Sequence, residues 1–326
     1  MANANAEWPP WSSDDFLGAL RDWYFPGARL AVVQCEGVRV RTLLKRRSRA
    51  VSAFWPFSFY LEPLERDDVS AVHVPYLADV VRATSPAGDR SAPPGTVLCP
   101  YVDWRTETSF ESYLESRQPL PGQDSPVSIE RKARRIEREL GPLAFRRGID
   151  SAAIFDQLLV WKADQFRRTG GSNRLESPHN LGFYHELRRR GFARASTLEA
   201  GGRVIAGKIG LFAGNRQLSR VTVYDHSLRK LSPGSVLERE SLRASFDAGE
   251  SEFDFLMGTQ PYKFTWATHI RWLGEVGSEP RLERLARLSR AQVGGFLRGK
   301  PGAVGSREIA RRLVAIPRPR RRLSRR

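Results

Sequence analysis

The chain has 326 residues, 40% of them apolar and 27% charged, which is length and composition enough for two modest cores or one large one. Its only cysteines, Cys35 and Cys99, are too few for a disulfide framework or a four-thiolate metal site and suit a reducing compartment. The net charge of +17 invites a nucleic-acid reading, but fifteen Lys and Arg against two acids lie between Arg281 and Arg326, which leaves a nearly neutral body. Met1 to Trp11 has neither the basic start nor the apolar centre of a signal peptide, and no apolar run is long enough to span a bilayer. A cytoplasmic protein is expected.

In chain order, the first third alternates short strand-like runs with loops: Leu30 to Gln34, Val38 to Leu44 with apolar residues at period two, and the aromatic run Phe54 to Tyr60. A helix is expected from about Leu64 to Ala83, then the punctuation of Ser85 to Gly95, then a strand at Thr96 to Tyr101. Gln118 to Ser125, with two prolines and a glycine, reads as a linker. Beyond it Ser128 is placed to cap an Arg-rich helix running to Leu140 and stopped by Gly141-Pro142. A strand at Leu143 to Arg146 and helices at Ala152 to Arg168 and Leu181 to Arg190 follow. Three antiparallel strands come next, Ala193 to Glu199, Val204 to Phe212 and Gln217 to Tyr224, joined by turns at Ala200-Gly-Gly202 and Ala213-Gly-Asn215. Then come Leu231-Ser-Pro-Gly-Ser-Val236, a helix to Ala248, a strand at Phe253 to Leu256, and a last apolar and aromatic stretch through Trp272.

The turn Ser232-Pro233-Gly234-Ser235 opening a helix carries chemistry of its own. The first turn of a helix leaves backbone N–H groups unpaired and bears about half a positive charge, so a pyrophosphate can bind there, and Gly234 lets it approach the backbone. The tripeptide alone is also a common way to begin a helix. The five histidines and two cysteines give no ligand set or nucleophile pair, so no metal and no covalent intermediate are expected.

Strand order around that turn resembles the acyl-transfer core of the GNAT superfamily. The resemblance is greater to the branch of GNAT acetyltransferases associated with cellulose and other polysaccharide biosynthesis, itself related to the Fem-type aminoacyltransferases that build peptidoglycan bridges. It rests on the helix Ser128 to Leu140, Trp161-Lys162-Ala163, Tyr224-Asp225, Leu231 to Leu237, Phe253 to Gly258, Pro261-Tyr262-Lys263 and Trp266.

The resemblance implies an α+β, mixed α/β fold with a central, mostly antiparallel sheet flanked by helices, arranged as two tandem GNAT-like lobes. Residues 1–120 would be a degenerate lobe, 125–280 the acyltransferase domain, and 281–326 a basic amphipathic helix with an Arg-rich tail suited to an anionic membrane surface. It further implies acetyl-CoA or another acyl-CoA as co-substrate and direct transfer to the nitrogen or oxygen of a sugar, amino sugar or other envelope precursor. Tyr224 would be the acid, Asp225 or Asp254 the base, and Lys263 the oxyanion partner. Val221, Val223, Ser232, Pro233, Gly234, Ser235, Tyr262 and Trp266 would hold the donor. The bland readings are a core aromatic for Tyr224, a turn former for Asp225, a structural carboxylate for Asp254 and a solvated charge for Lys263. The resemblance implies that many relatives carry acids between the positions of Gly258 and Pro261, where this chain has Thr259-Gln260. Two other readings therefore stay open: an aminoacyl-tRNA-dependent transferase, and a non-catalytic module binding anionic surfaces.

Overall fold

A computed structural model describes residues 10–277 apart from 46–48, 51–59, 66–67, 90–91, 94, 118, 120, 171–174 and 176. The aromatic run up to residue 59 and the basic helix and tail expected beyond 280 lie outside the described residues.

Local signals set most of the element ends. Helix α1 (Asp14–Tyr24) starts where the Ser13 hydroxyl accepts from the Phe16 N–H. Helix α3 (Pro126–Leu140) begins one turn earlier than expected, because Ser125 rather than Ser128 is the cap and Pro126 takes the first helical position. Helices α4 (Ala152–Thr169), α5 (Pro178–Arg189) and α6 (Pro233–Asp247) follow the expected spans closely. The three expected strands are β8 (Ala193–Ala200), β9 (Arg203–Ala213) and β10 (Arg216–Tyr224), preceded by β7 (Leu143–Ile149). Gly201 and Gly202, both with positive φ, make the tight turn that lets β8 and β9 pair in antiparallel register.

Two sheets result. The smaller runs β3 (Arg49–Ala50), β2 (Val38–Lys45), β1 (Arg29–Cys35), β4 (Val72–His73). The larger has eight strands in the order β5 (Tyr76–Pro86), β12 (His269–Gly277), β6 (Val97–Asp103), β11 (Glu252–Asp254), β10, β9, β8, β7. All its neighbours are antiparallel except β10 and β11. Where a helix is expected from Leu64 to Ala83, the described residues form the short β4 and then strand β5. Its β-branched stretch pairs along nearly its whole length with β12, a partner some 190 residues away in sequence that no local pattern reveals. Through β5 and β6 the part of the chain before residue 120 enters the same sheet as the part after 125, so the Gln118 to Ser125 segment does not separate the sheets.

Helices flank this sheet in two groups. Phe155, Leu158 and Leu159 of α4 and Phe183 and Leu187 of α5 share one core cluster with α1 and the small sheet. Ile129, Ala133 and Ile136 of α3 and Val236, Leu237 and Leu242 of α6 share a second with α2 (Phe110–Ser116). Both clusters draw on β8 to β10. Among the described residues no helix is long and apolar enough to cross a membrane.

Between β11, β6 and β12 the sheet buries charge. Arg271, with 5% of its side chain exposed, bonds Asp254 at 3.0 Å and also Glu252, and stacks 3.7 Å from the centre of the Tyr101 ring. Asp254 further accepts from Tyr60, the Leu256 N–H and the Cys99 thiol, and burial pushes both the Tyr60 hydroxyl and the Cys99 thiol well up.

Candidate active site

β10 and β11 are hydrogen-bonded only at Arg216–Leu218, opposite Glu252–Asp254, and then part. From Ser219 onward β10 keeps β9 on one edge, while Ser219, Arg220, Thr222 and Tyr224 line a cavity of about 570 Å³. A register shift between Ser219 and Val221 bulges the strand at Arg220. The other walls are Lys162, Gln165 and Phe166 of α4, Gly234, Ser235 and Glu238 at the start of α6, Phe255 to Met257 after β11, and Tyr262, Lys263 and Trp266 of the short helix α7 (Pro261–Trp266). Gln123, Asp124 and Ile129 close it near α3.

Of the residues expected at the site, Tyr224, Gly234, Ser235, Tyr262, Lys263 and Trp266 do line this cavity. Val221 and Val223 sit on the same strand but bury their side chains in the core and are not among the residues lining the cavity. Ser232, in left-handed conformation, forms the junction between a 3-10 turn and α6 with no side-chain cap bond, and Pro233 is buried behind it.

The two carboxylates expected as bases are elsewhere. Asp225 caps the turn after β10 through the Ser227 N–H and hydroxyl and pairs with Arg203. Burial works to raise its pKa, but these partners outweigh it and hold the carboxyl below its usual range. Asp254 is 1% exposed and belongs to the Arg271 cluster. Neither is among the residues lining the cavity.

Gly234 behaves differently from the simple expectation. A Cβ built there would stand 3.2 Å from the Tyr224 ring, so the absence of a side chain is what lets this ring lie against the first turn of α6. That turn also holds a carboxylate, since Ser235 Oγ donates to Asp124 Oδ2 at 2.7 Å. Asp124 pairs in turn with Lys132 at 2.5 Å, and although burial opposes it, these bonds keep its pKa low.

Sequence reasoning did not single out Glu238 or assign Lys162 a role. Glu238 accepts from Lys208 at 2.7 Å, a lysine on β9 with no exposed surface whose own pKa is pushed down by burial. Lys162 donates to Gln165 Oε1 at 2.9 Å and the Thr222 carbonyl at 3.4 Å. Burial first, then the charges of Arg220 and Lys263, bring its pKa down to about 8. The only prior signal was Lys162 within the Trp161-Lys162-Ala163 motif; a charged residue on a helix otherwise looks like a solvated one. Lys263 donates to the carbonyls of Leu256 at 3.0 Å and Met257 at 2.9 Å, and burial lowers its pKa too. Gln260 lines the cavity as an amide.

The low pKa of Lys162 has a stability consequence. Its folded value is near 8 against 10.5 in the unfolded chain, so between these limits the unfolded state holds more protons and stability should rise with pH. Lys162→Met is expected to flatten that rise when urea unfolding is compared at about pH 8 and about pH 10. Equal slopes for variant and parent would show that this amine is not desolvated.

Comparison with known proteins agrees with the geometry. Residues 127–264 match the family described as "Acetyltransferase (GNAT) domain". This stretch is a GNAT acyltransferase domain. It spans α3 to α7 and contains the parted strands and most of the cavity wall. Among solved structures, a crystal structure of FemX is similar over 86% of this chain and 94% of its own, at 10% identity and a TM-score of 0.53. L-PGS from Bacillus licheniformis matches over 89% and 99% at 10% identity with a TM-score of 0.48. The C-terminal domain of a putative lysylphosphatidylglycerol synthetase from Agrobacterium fabrum matches over 84% and 91% at 12% identity with a TM-score of 0.45. A comparison with curated proteins found no match. The FemX likeness is one of fold and covers most of the chain. Among the described residues no group of His, Cys, Asp or Glu is placed to hold a metal ion.

Proposed function

We propose that the chain transfers an acyl group directly from acyl-coenzyme A to a sugar, amino sugar or other envelope precursor. The observation that carries this is the parting of β10 from β11 beside the first turn of α6. It leaves an unpaired strand edge for the donor's amide and thioester groups and a helix start for its pyrophosphate. The acceptor's nitrogen or oxygen attacks the thioester carbonyl carbon, the carbon–sulfur bond breaks, and the departing thiolate takes a proton from the Tyr224 hydroxyl. Lys263, fixed by two carbonyls with one N–H still to give, stabilises the charge that develops on the thioester oxygen. Glu238 takes the acceptor's proton, the role left open by Gln260, because it is a carboxylate that lines the cavity. Beyond the described residues, the Arg-rich tail would bring the enzyme to an anionic membrane surface.

Calorimetric titration of the full chain with acetyl-coenzyme A tests the donor. Micromolar binding is expected. No binding would favour an aminoacyl-tRNA donor or a module without catalysis. Lys263→Ala should leave donor affinity within about twofold but slow the release of free thiol from acetyl-coenzyme A about 100-fold, since its bond to the reacting oxygen strengthens only during transfer. Equal losses in affinity and rate would make Lys263 a donor-binding residue instead.

A further inference from the structure

Behind Glu238 lies a charge that the cavity does not reach. Lys208, on β9, has no exposed surface and is not among the residues that line the cavity. It donates to Glu238 Oε1 at 2.7 Å, and its Nζ stands 4.7 Å from the centre of the Phe253 ring. Glu238 is only 3% exposed, yet it does line the cavity. Its Oε1 is therefore held from the β9 side, whereas Oε2 has no hydrogen-bond partner among the described residues.

Stability explains this pair poorly. Removing an ammonium and a carboxylate from water costs about as much as their attraction gains, and apolar side chains of like volume would fill the core as well. Geometry gives the pair a use. A base must hold its oxygen within hydrogen-bond reach of the proton it takes, and the torsions of an untethered glutamate stem can carry that oxygen away. The lysine that tethers it is itself fixed. β9 pairs with both β10 and β8, and Lys208 stands in register with Thr222, which lines the cavity on the open part of β10. Glu238 is thereby tied to the strand along which the thioester would lie. Burial draws the proton affinity of Lys208 down and Glu238 raises it, so the ammonium owes its charge in part to this carboxylate.

We propose that Lys208 is a positioning residue for acyl transfer, holding Oε1 of Glu238 so that Oε2 is presented to the acceptor at a fixed reach from the open edge of β10. This rests on the readings of Glu238 as base and of acyl-coenzyme A as donor. The acceptor's proton goes to Oε2, while Oε1 keeps its bond to Lys208.

Turnover is followed as free thiol released from acetyl-coenzyme A by the full chain with water as the acceptor, beside calorimetry with coenzyme A and melting temperatures. Lys208→Met keeps an unbranched stem but no charge. It should lower kcat about 100-fold, the scale of a catalytic group misplaced by about 1 Å, and leave coenzyme A affinity within about twofold. Lys208→Arg, which can still donate to Oε1, should recover part of the rate. In a Glu238→Gln background, itself slow, Lys208→Met should remove no further turnover, because a residue that acts through another then has nothing left to act on. An equal loss with or without Glu238 would make Lys208 merely structural and overturn the proposal, as would an undiminished kcat in folded Lys208→Met. Where Lys208→Met does not melt cooperatively, Lys208→Gln takes its place in the same comparison. Coenzyme A that does not bind the parent ends the donor reading, whereas full turnover by Glu238→Gln, or none by a parent that binds the donor, ends the base reading; either takes the role of Lys208 with it.

Discussion

Gly234→Val is expected to weaken coenzyme A binding about 30- to 150-fold, or about 2 to 3 kcal/mol, in the range of several charge-assisted hydrogen bonds lost at a helix start. The variant acts twice. A Cβ at this position meets the Tyr224 ring at 3.2 Å, and the two further methyl groups of valine must either displace that ring into the cavity or occupy the approach to the α6 turn. Tyr224→Phe separates the two effects, because it keeps the ring and removes only the hydroxyl. Its donor affinity should match the parent's while thiol release slows. Calorimetry with coenzyme A, with melting temperatures measured alongside, gives the answer. Tight binding by a stably folded Gly234→Val protein would show that the pyrophosphate does not use this turn.

A smaller companion effect follows from Asp124. Its carboxylate bonds Ser235 at the same turn, so it competes for the position a pyrophosphate would take. Asp124→Asn should tighten coenzyme A binding a few-fold, up to about 1 kcal/mol. Weaker binding would mean that Asp124 positions the turn rather than opposing its ligand.

The elements that wall the cavity along β10 and α6 are legible in the sequence because they announce themselves locally. Gly201-Gly202 and Gly214-Asn215 mark the hairpins, and Pro233-Gly234 marks the start of α6. The inward placing of Lys162 and Glu238 is not legible there: both lie on helices that carry several other charges, and only packing of α4 against β10 and of α6 against β9 turns these two toward the cavity. Asp254 misled for the opposite reason. It stands in the Phe253 to Gly258 run that carries the family resemblance, yet its fate depends on Arg271, Tyr60 and Cys99, which come from three distant segments. Strand β5 escaped notice likewise, since its partner β12 lies near the other end of the described chain.

Arg271→Met is expected to destabilise the fold by about 3 to 5 kcal/mol, the range seen when one partner of a buried ion pair is removed and the other is stranded. Glu252 and Asp254 are 2% and 1% exposed, so water cannot replace the guanidinium. Arg216 and Arg105, each 3.3 Å from Glu252, offer Glu252 partial compensation, whereas Asp254 would keep, among the described residues, the Tyr60 hydroxyl, the Cys99 thiol and the Leu256 N–H but no guanidinium. The loss is read in urea unfolding of variant and parent. Adding Asp254→Asn to Arg271→Met should recover part of the loss, because an amide needs no counter-charge. No recovery in the double variant would show that Arg271 contributes through its packing on Tyr101 rather than through its charge.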